Sequence, residues 1–561
     1  MMTTIQVEYP EVDVGKNRAL DPIHLQILWN RLISIMDEAD IALLHSAFST
    51  IVADSRDYAV ILLDRHARSI AQAQICVPAF TCSLPSAART MLQDFPPDSL
   101  KPGDVLFTND PWICHGHLPD FYVIKPIFHG GEIVAYFAAA AHVSDVGGRM
   151  DELMARDVYE EGIRLPPCKI YEAGVANRPV MNIIAANTRH PRLVLGDLGA
   201  MTGAATVVEE GIAQFIGDYG AAALDEVADQ ILTRSARAMH DAIAALPDGD
   251  YPYEIECDGF RKPTRIKLNL KVRGDAMILD YTGSDDQRAD ASINCVLNVT
   301  HAHSMFAVKC ALVPTVPNNE GLFGPVTTVA PEGSILNARF PAPVRARSMT
   351  SFHLHNAIFG ALRPFVPDRV QAGSGSFWWM TCSGRDAANE PFSVHVLPNG
   401  GTGAVMGKDG FPTMAFPGNG SLTPIEIIEN RAPLVVTERS MAPDSGGAGE
   451  FRGGLGQIIR VRTLRGPANL TLRPDKVFFP PPGLDGGLPG GKGEFMIDGE
   501  QAPFEPFTLQ EGQELTLKLP GGGGYGDPAR RDPAALAADI RKGFVSRAKA
   551  AELYGVVPEA E

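Results

Sequence analysis

NDPWICHGHLPD, residues 109–120, leads into FYVIKPIF (121–128) and then, through HGG (129–131), into EIVAYFAAAAH (132–142). The two apolar runs are rich in β-branched and aromatic residues and are separated by a glycine turn signal, so they read as a β-hairpin. If His129 pairs with Glu132, Asp120 falls opposite Ala141, one position short of His142. A one-residue bulge corrects the register, and cross-strand neighbours then have Cβ atoms roughly 5 Å apart, within reach of one metal ion. His117 approaches the same end of the hairpin from the preceding loop. Two imidazoles and a carboxylate leave coordination positions open for water or substrate, which suits a catalytic site better than a closed structural one. The same three residues equally suit a hydrogen-bonded cluster bracing the hairpin end, and spacing does not choose between the two.

Other groups lie close by in sequence. Asp145 is placed either to fix the tautomer of a metal-bound imidazole or to make the turn before Gly147 and Gly148. Cys114 is either a soft extra ligand or a small apolar loop residue, the usual state of a free cysteine. His353 and His355, at alternate positions, share one face if the segment is a strand; they read as structural histidines, with a second metal or substrate site as the other use.

Composition narrows the class. At 561 residues the chain exceeds one ordinary domain, and 45% hydrophobic content supplies sizeable cores, so two or three domains are expected. A net charge of -17 speaks against nucleic-acid or anionic-membrane partners, both of which need a basic patch. Eight cysteines without a CxxC pair fit reduced thiols in a cytoplasm. With no apolar leader and no apolar run near 18 residues, cytoplasmic location is expected, without secretion or a membrane span. Runs such as Gly400-Gly401-Thr402-Gly403, Gly486 to Gly491 and Gly521 to Gly524 lack the Gly-Lys-Ser/Thr of a phosphate loop and read as tight turns and close backbone approach. A nucleotide-dependent reaction therefore needs its nucleotide on another polypeptide.

The expected fold class is α+β, multi-domain. Residues 1–20 read as an arm and 21–250 as a mixed α/β domain carrying the site. Residues 251–520 read as β-rich, with short strands between Gly, Pro and Asn, and 521–561 as a glycine-rich turn followed by a helix pair. Asp21 with Pro22 starts the first helix, and a second helical stretch spans 191–245, broken at Gly220.

Asn109-Asp110-Pro111, Gly116-His117-Leu118-x-Asp120, His142-x-x-Asp145-x-Gly147-Gly148 and Glu161-Gly162-Ile163-Arg164 follow the order and spacing of the hydantoinase B/oxoprolinase family, which the chain resembles. The likeness continues through Asp280 to Ser284, Gly400 to Ala404, Asp444 to Gly449, Arg452 to Gly456, Pro520 to Gly526 and Tyr554-Gly555-Val556, nearly the whole chain from about Asp21. The resemblance implies a divalent metal on His117, Asp120 and His142, and this donor set suits zinc, manganese or iron. It points to Glu161 as a general base or a polar contact near the metal, the alternative being a surface ion pair with Arg164. It also points to Asp54 as the acidic residue that the family carries, commonly as glutamate, before the first strand. Phe80 stands where many related hydrolases have a histidine, which implies a pocket for a more apolar substrate than 5-oxoproline, unless the ring is core packing.

The resemblance further implies a metal-bearing subunit working beside an ATP-binding, hydantoinase A-like partner, two copies of each. The expected reaction is ATP-dependent hydrolysis of a C–N bond in a small cyclic amide, a hydantoin or lactam. Phosphorylation of the amide oxygen on the partner overcomes amide resonance, and a metal that lowers the pKa of water favours the attack. The alternative is an ATP-dependent ketone carboxylase of the acetone or acetophenone carboxylase type, whose metal subunit is typically longer. A scaffold with a dead site would have lost ligands, and all three are present.

Overall fold

The computed structural model describes residues 20–385, 389, 391–414, 416–418 and 420–555. The expected arm, apart from Leu20, and Val556 lie outside the described residues. The chain forms two compact units: Met1–Arg149 with Met154–Pro252 and Lys267–Arg347, and Met150–Leu153 with Tyr253–Ile266 and Ser348–Glu561. A boundary near 250 marks one crossing. The chain then returns at Lys267 and leaves the first unit at Arg347, so residues 267–347 group with the candidate ligands.

In the first unit, helix α1 (Pro22–Ser46) begins where Asp21 accepts the Ile23 and His24 N–H groups at 3.1 and 3.0 Å. Next come α2 (Thr50–Ala53), strands β1 (Tyr58–Asp64) and β2 (Ser69–Gln72), and α3 (Pro78–Asp94). Strands β3 (Val105–Thr108), β4 (Asp120–His129), β5 (Glu132–His142), β6 (Cys168–Glu172) and β7 (Val175–Ala176) complete an antiparallel sheet of order β2-β1-β5-β4-β3-β6-β7. Both faces of its centre are covered. Tyr122 meets Ser83 of α3 at 2.6 Å on one face. Lys125 pairs at 2.6 Å on the other face with Glu209 of the long helix Pro191–Tyr219. Strands buried on both sides read as continuous apolar runs, as FYVI and AYFAAAA do.

Beyond 250 the reading of strands alone is incomplete. Helices occupy Leu297–Leu312 and Leu354–Leu362 as well as Ile425–Arg431. LNVTHAHSMFAVKCAL has buried residues on almost every side, including Thr300, His301 and His303, so the polar-apolar period that announces a helix is absent. His353 and His355 are likewise not on a strand. His353 precedes the helix that contains His355.

The second unit contains a four-stranded sheet including Trp379–Arg385 and Ala468–Arg473, and a five-stranded sheet including Gln457–Thr463 and Glu514–Lys518. Its glycine runs hydrogen-bond to one another: Gly522 N–H to Gly454 O at 2.8 Å, Gly454 N–H to Thr402 O at 2.8 Å, Gly447 N–H to Gly522 O at 2.8 Å. A Cβ at Gly522 would lie 1.9 Å from Thr402 O, so the bundle exists only because that side chain is missing. The closing helices, Pro533–Arg541 and Arg547–Tyr554, pack Leu536, Ala550 and Tyr554 against Ala448. Arg531 ties them down through Asp539 at 2.6 Å and Asp409 at 2.8 Å.

Two glycine substitutions should therefore act in opposite directions. Gly522→Ala must move backbone and is expected to cost about 3 kcal/mol or prevent folding. Gly199→Ala, in a helix with open space around it, should gain about 0.5–1 kcal/mol. Chemical denaturation of both variants checks this.

Candidate metal centre

Local hydrogen bonds build the ligand loop. Asn109 is fully buried, its Nδ2 donating to Leu118 O at 2.8 Å and Ile163 O at 2.9 Å while Oδ1 accepts the Leu165 N–H at 2.7 Å. This amide staples the loop between β3 and β4 to the segment after Glu161. Gly116 has φ +79, and a Cβ there would meet Val299 Cγ2 at 2.4 Å and Arg347 Cδ at 3.0 Å. The loop can thus pass close to those residues only with glycine at this position.

The β4–β5 ladder pairs Asp120 with His142, its register shifting between Ile127 and Phe128, while His129 pairs with Glu132 at the turn. The bulge postulated from sequence is present. His117 Nε2 lies 2.6 Å from Asp120 Oδ1, and His142 Nδ1 lies 3.1 Å from His117 Nε2 and 3.2 Å from Asp120 Oδ1. Metal ligands at about 2.0–2.2 Å, at tetrahedral or octahedral angles, stand about 2.8–3.6 Å apart; the two His142 separations fall in that range, and the 2.6 Å between His117 and Asp120 is a hydrogen-bond length that a bound ion would widen slightly. The donor set fits a divalent transition metal, and among the described residues this is the group of His, Cys, Asp and Glu side chains whose atoms converge in that way. Cys114 stays outside it. Burial pushes its thiol well above the ordinary range, and Sγ faces Thr108 O at 3.8 Å.

His117 Nδ1 has two neighbours, Arg345 O at 3.0 Å and Arg347 Nη1 at 2.7 Å. When Nδ1 carries the proton it donates to Arg345 O and Nε2 keeps the lone pair a metal needs. When Nδ1 accepts from Arg347, Nε2 carries the proton and donates to Asp120. Arg347 Nη2 also donates to Asp120 Oδ2 at 2.8 Å, leaving Oδ1 toward the histidines. Burial opposes the charge on Asp120, but His117 and the Arg347 guanidinium hold its carboxyl well below the usual range. Burial, with Arg347, keeps the His117 imidazole neutral. An ionised carboxylate beside a neutral imidazole is the protonation state a metal requires.

The other residues singled out from sequence occupy distinct places. Glu161 is buried, with Oε1 accepting the Val344 and Arg345 N–H groups at 2.6 and 2.8 Å, so it braces the backbone whose carbonyl faces His117. Burial pushes its carboxyl up to about 8. Arg164 pairs with Asp110 at 3.3 Å. Asp145 accepts from Gly147 N–H at 3.2 Å, from the Arg189 backbone N–H, and from Arg189 Nη1 at 2.7 Å, the arrangement of a turn residue. Asp54 caps the end of α2, its backbone N–H on Thr50 O at 2.9 Å. Phe80 is buried, edge-on to His115 at 5.4 Å and to Tyr122 at 6.3 Å.

Several groups escaped the sequence reading. Asp57, three residues after Asp54, accepts the His142 N–H on its backbone carbonyl at 3.0 Å, and its carboxyl lies within electrostatic reach of Asp120 and Arg347. Burial pushes that carboxyl up to about 6. His115 packs 5.4 Å from His303, and burial keeps both neutral. Only the HGH pair of histidines carried a local signal for His115. Arg345 and Arg347 lie more than 220 residues from His117, and nothing in PVRARSMT marks them.

Comparisons with known proteins identify the family and the fold. Residues 21–528 match the family described as hydantoinase B/oxoprolinase. The B component of a putative D-/L-hydantoinase from Pseudomonas sp. (strain NS671) is 31% identical, over 96% of this chain and 95% of its own. The crystal structure of the ATP-dependent caprolactamase from Pseudomonas jessenii superposes with a TM-score of 0.87 at 29% identity, covering 97% of both chains. A nucleotide-free acetone carboxylase structure has the same fold, with a TM-score of 0.86 at 20% identity, covering 96% of this chain and 80% of its own. The ligand motif, the fold and the match along nearly the full length lead to one assignment: the chain belongs to the hydantoinase B/oxoprolinase family.

Proposed function

We propose that this chain is the metal-bearing subunit of an ATP-dependent hydrolase that opens a small cyclic amide, a hydantoin or lactam, together with a hydantoinase A-like subunit. The convergence of His117 Nε2, Asp120 Oδ1 and His142 Nδ1 at one end of the central hairpin carries this reading. A relative named as part of a hydantoinase and a solved ATP-dependent caprolactamase support it. A divalent metal held by these residues supplies a Lewis acid for a carbonyl oxygen or for water. Around it, Arg345 O sets the His117 tautomer, Arg347 keeps Asp120 ionised, and Glu161 fixes the 344–345 backbone. Asp57 holds the His142 backbone through its carbonyl. Phe80 backs His115 and gives the site an apolar neighbour where many related hydrolases carry a histidine. The nucleotide belongs to the partner, because the glycine runs serve backbone packing and contain no phosphate loop.

The folded protein is expected to hold about one divalent transition metal, and His117→Ala or His142→Ala should lose most of it. Elemental analysis of the purified variants measures this, and unchanged metal in both removes the site. Alone, the chain should neither hydrolyse ATP nor open a cyclic amide. Mixed with its hydantoinase A-like partner, it should form a hetero-oligomer with two copies of each chain and show substrate-stimulated ATP hydrolysis. Assays across hydantoins, lactams and ketones, with and without bicarbonate, decide the reaction, and strict bicarbonate dependence with a ketone would replace hydrolysis by carboxylation. Phe80→His should shift relative rates toward polar substrates, and constant substrate ratios would reduce the ring to packing.

A further inference from the structure

Arg347 does more at this centre than its ion pair requires. The residue is 7% exposed, and its stem is packed over Gly116. A guanidinium has five N–H donors in a planar fork. Two of its nitrogens reach protein acceptors, Nη2 at Asp120 Oδ2 (2.8 Å) and Nη1 at His117 Nδ1 (2.7 Å), and Nε, itself buried, meets none. A counterion for Asp120 alone would present both arms of the fork to the carboxylate. Here the fork is split, and one arm rests on a nitrogen that cannot accept when it donates to Arg345 O. The tautomer that readies His117 for a metal thus releases an Arg347 N–H. Beside it His115, 3% exposed, leaves Nδ1 without a partner. Burying cationic and polar donors without acceptors is costly, and an anion seated there removes the cost.

We infer that Arg347, with the His115 ring beside it, binds an oxyanion of the substrate next to the metal ligands, and that this oxyanion is the phosphoryl group of the activated amide. The inference deepens the reading above and rests on it for the identity of the substrate. A phosphoryl group presents three acceptor oxygens, enough to meet the freed Arg347 N–H, its Nε and the His115 ring together. Arg347 is then a binding residue for the phosphoryl group while water adds to the activated carbon and the C–N bond breaks with a proton passing to the ring nitrogen; a second water then releases phosphate from the acyl phosphate left behind.

Calorimetric titration of the metal-loaded protein with inorganic phosphate, and separately with acetate, tests this without turnover. Phosphate should bind more tightly than acetate. Arg347→Met should weaken phosphate about tenfold to a hundredfold, and Arg347→Lys by less, with metal content by elemental analysis retained in both. Unchanged phosphate affinity in the Met variant overturns the proposal, as does a preference for acetate, which would assign the arm to a substrate carboxylate. Loss of metal from both variants also overturns it, since Arg347 would then serve only to hold Asp120. Wild-type phosphate affinity together with failure of the complex to open any cyclic amide would leave this site standing and sink the hydrolase reading instead.

Discussion

The pairing of Asp120 with His142 across the β4–β5 ladder is the constraint on which the centre depends. Side chains alternate between sheet faces with a period of two, so a register slip of one residue sends one of the two to the opposite face. The bulge between Ile127 and Phe128 sets that parity far from the candidate ligands. The apolar strands leave little freedom to slip, because both faces are buried. The hairpin therefore serves as a rigid mount, and the third candidate ligand, His117, arrives on a loop stapled by Asn109.

A buried carboxylate on such a mount needs compensation, and the third stretch of the first unit, Lys267–Arg347, supplies it. Arg347 sits on Asp120, and Arg345 offers its carbonyl to His117. Glu161, reached from the other side, holds the backbone of Val344 and Arg345. Three segments distant in sequence thereby form one hydrogen-bonded chain that ends at an imidazole nitrogen. Metal affinity and ligand tautomer are governed by such outer contacts as much as by the ligands.

The second unit solves a different problem. Its glycine runs approach one another backbone to backbone, at distances that exclude any Cβ, and the closing helices are pinned by the Arg531, Asp409 and Asp539 network. Glycine in such numbers invites comparison with nucleotide loops. Their amides are instead spent on carbonyls of neighbouring runs, such as Gly454 O and Gly401 O.

What the sequence determined by itself was local and periodic. The hairpin, its need for a bulge, the capped first helix, the break at Gly220, the closing helix pair and the family motifs follow from turn chemistry, alternation and spacing over tens of residues. The helix at 297–312 was not legible, because a helix buried on nearly all sides has no polar face to set a period. His353 and His355 looked like a strand pair for a related reason, since a two-residue spacing does not by itself choose a backbone. Only the tertiary structure decided that the Asp57 carbonyl holds the His142 N–H, that Glu161 braces backbone, and that Arg345 and Arg347 reach His117 from more than 220 residues away. Long-range contacts of this kind leave no local pattern. They arise because a buried carboxylate and a buried imidazole must find partners, and the fold settles which ones are within reach.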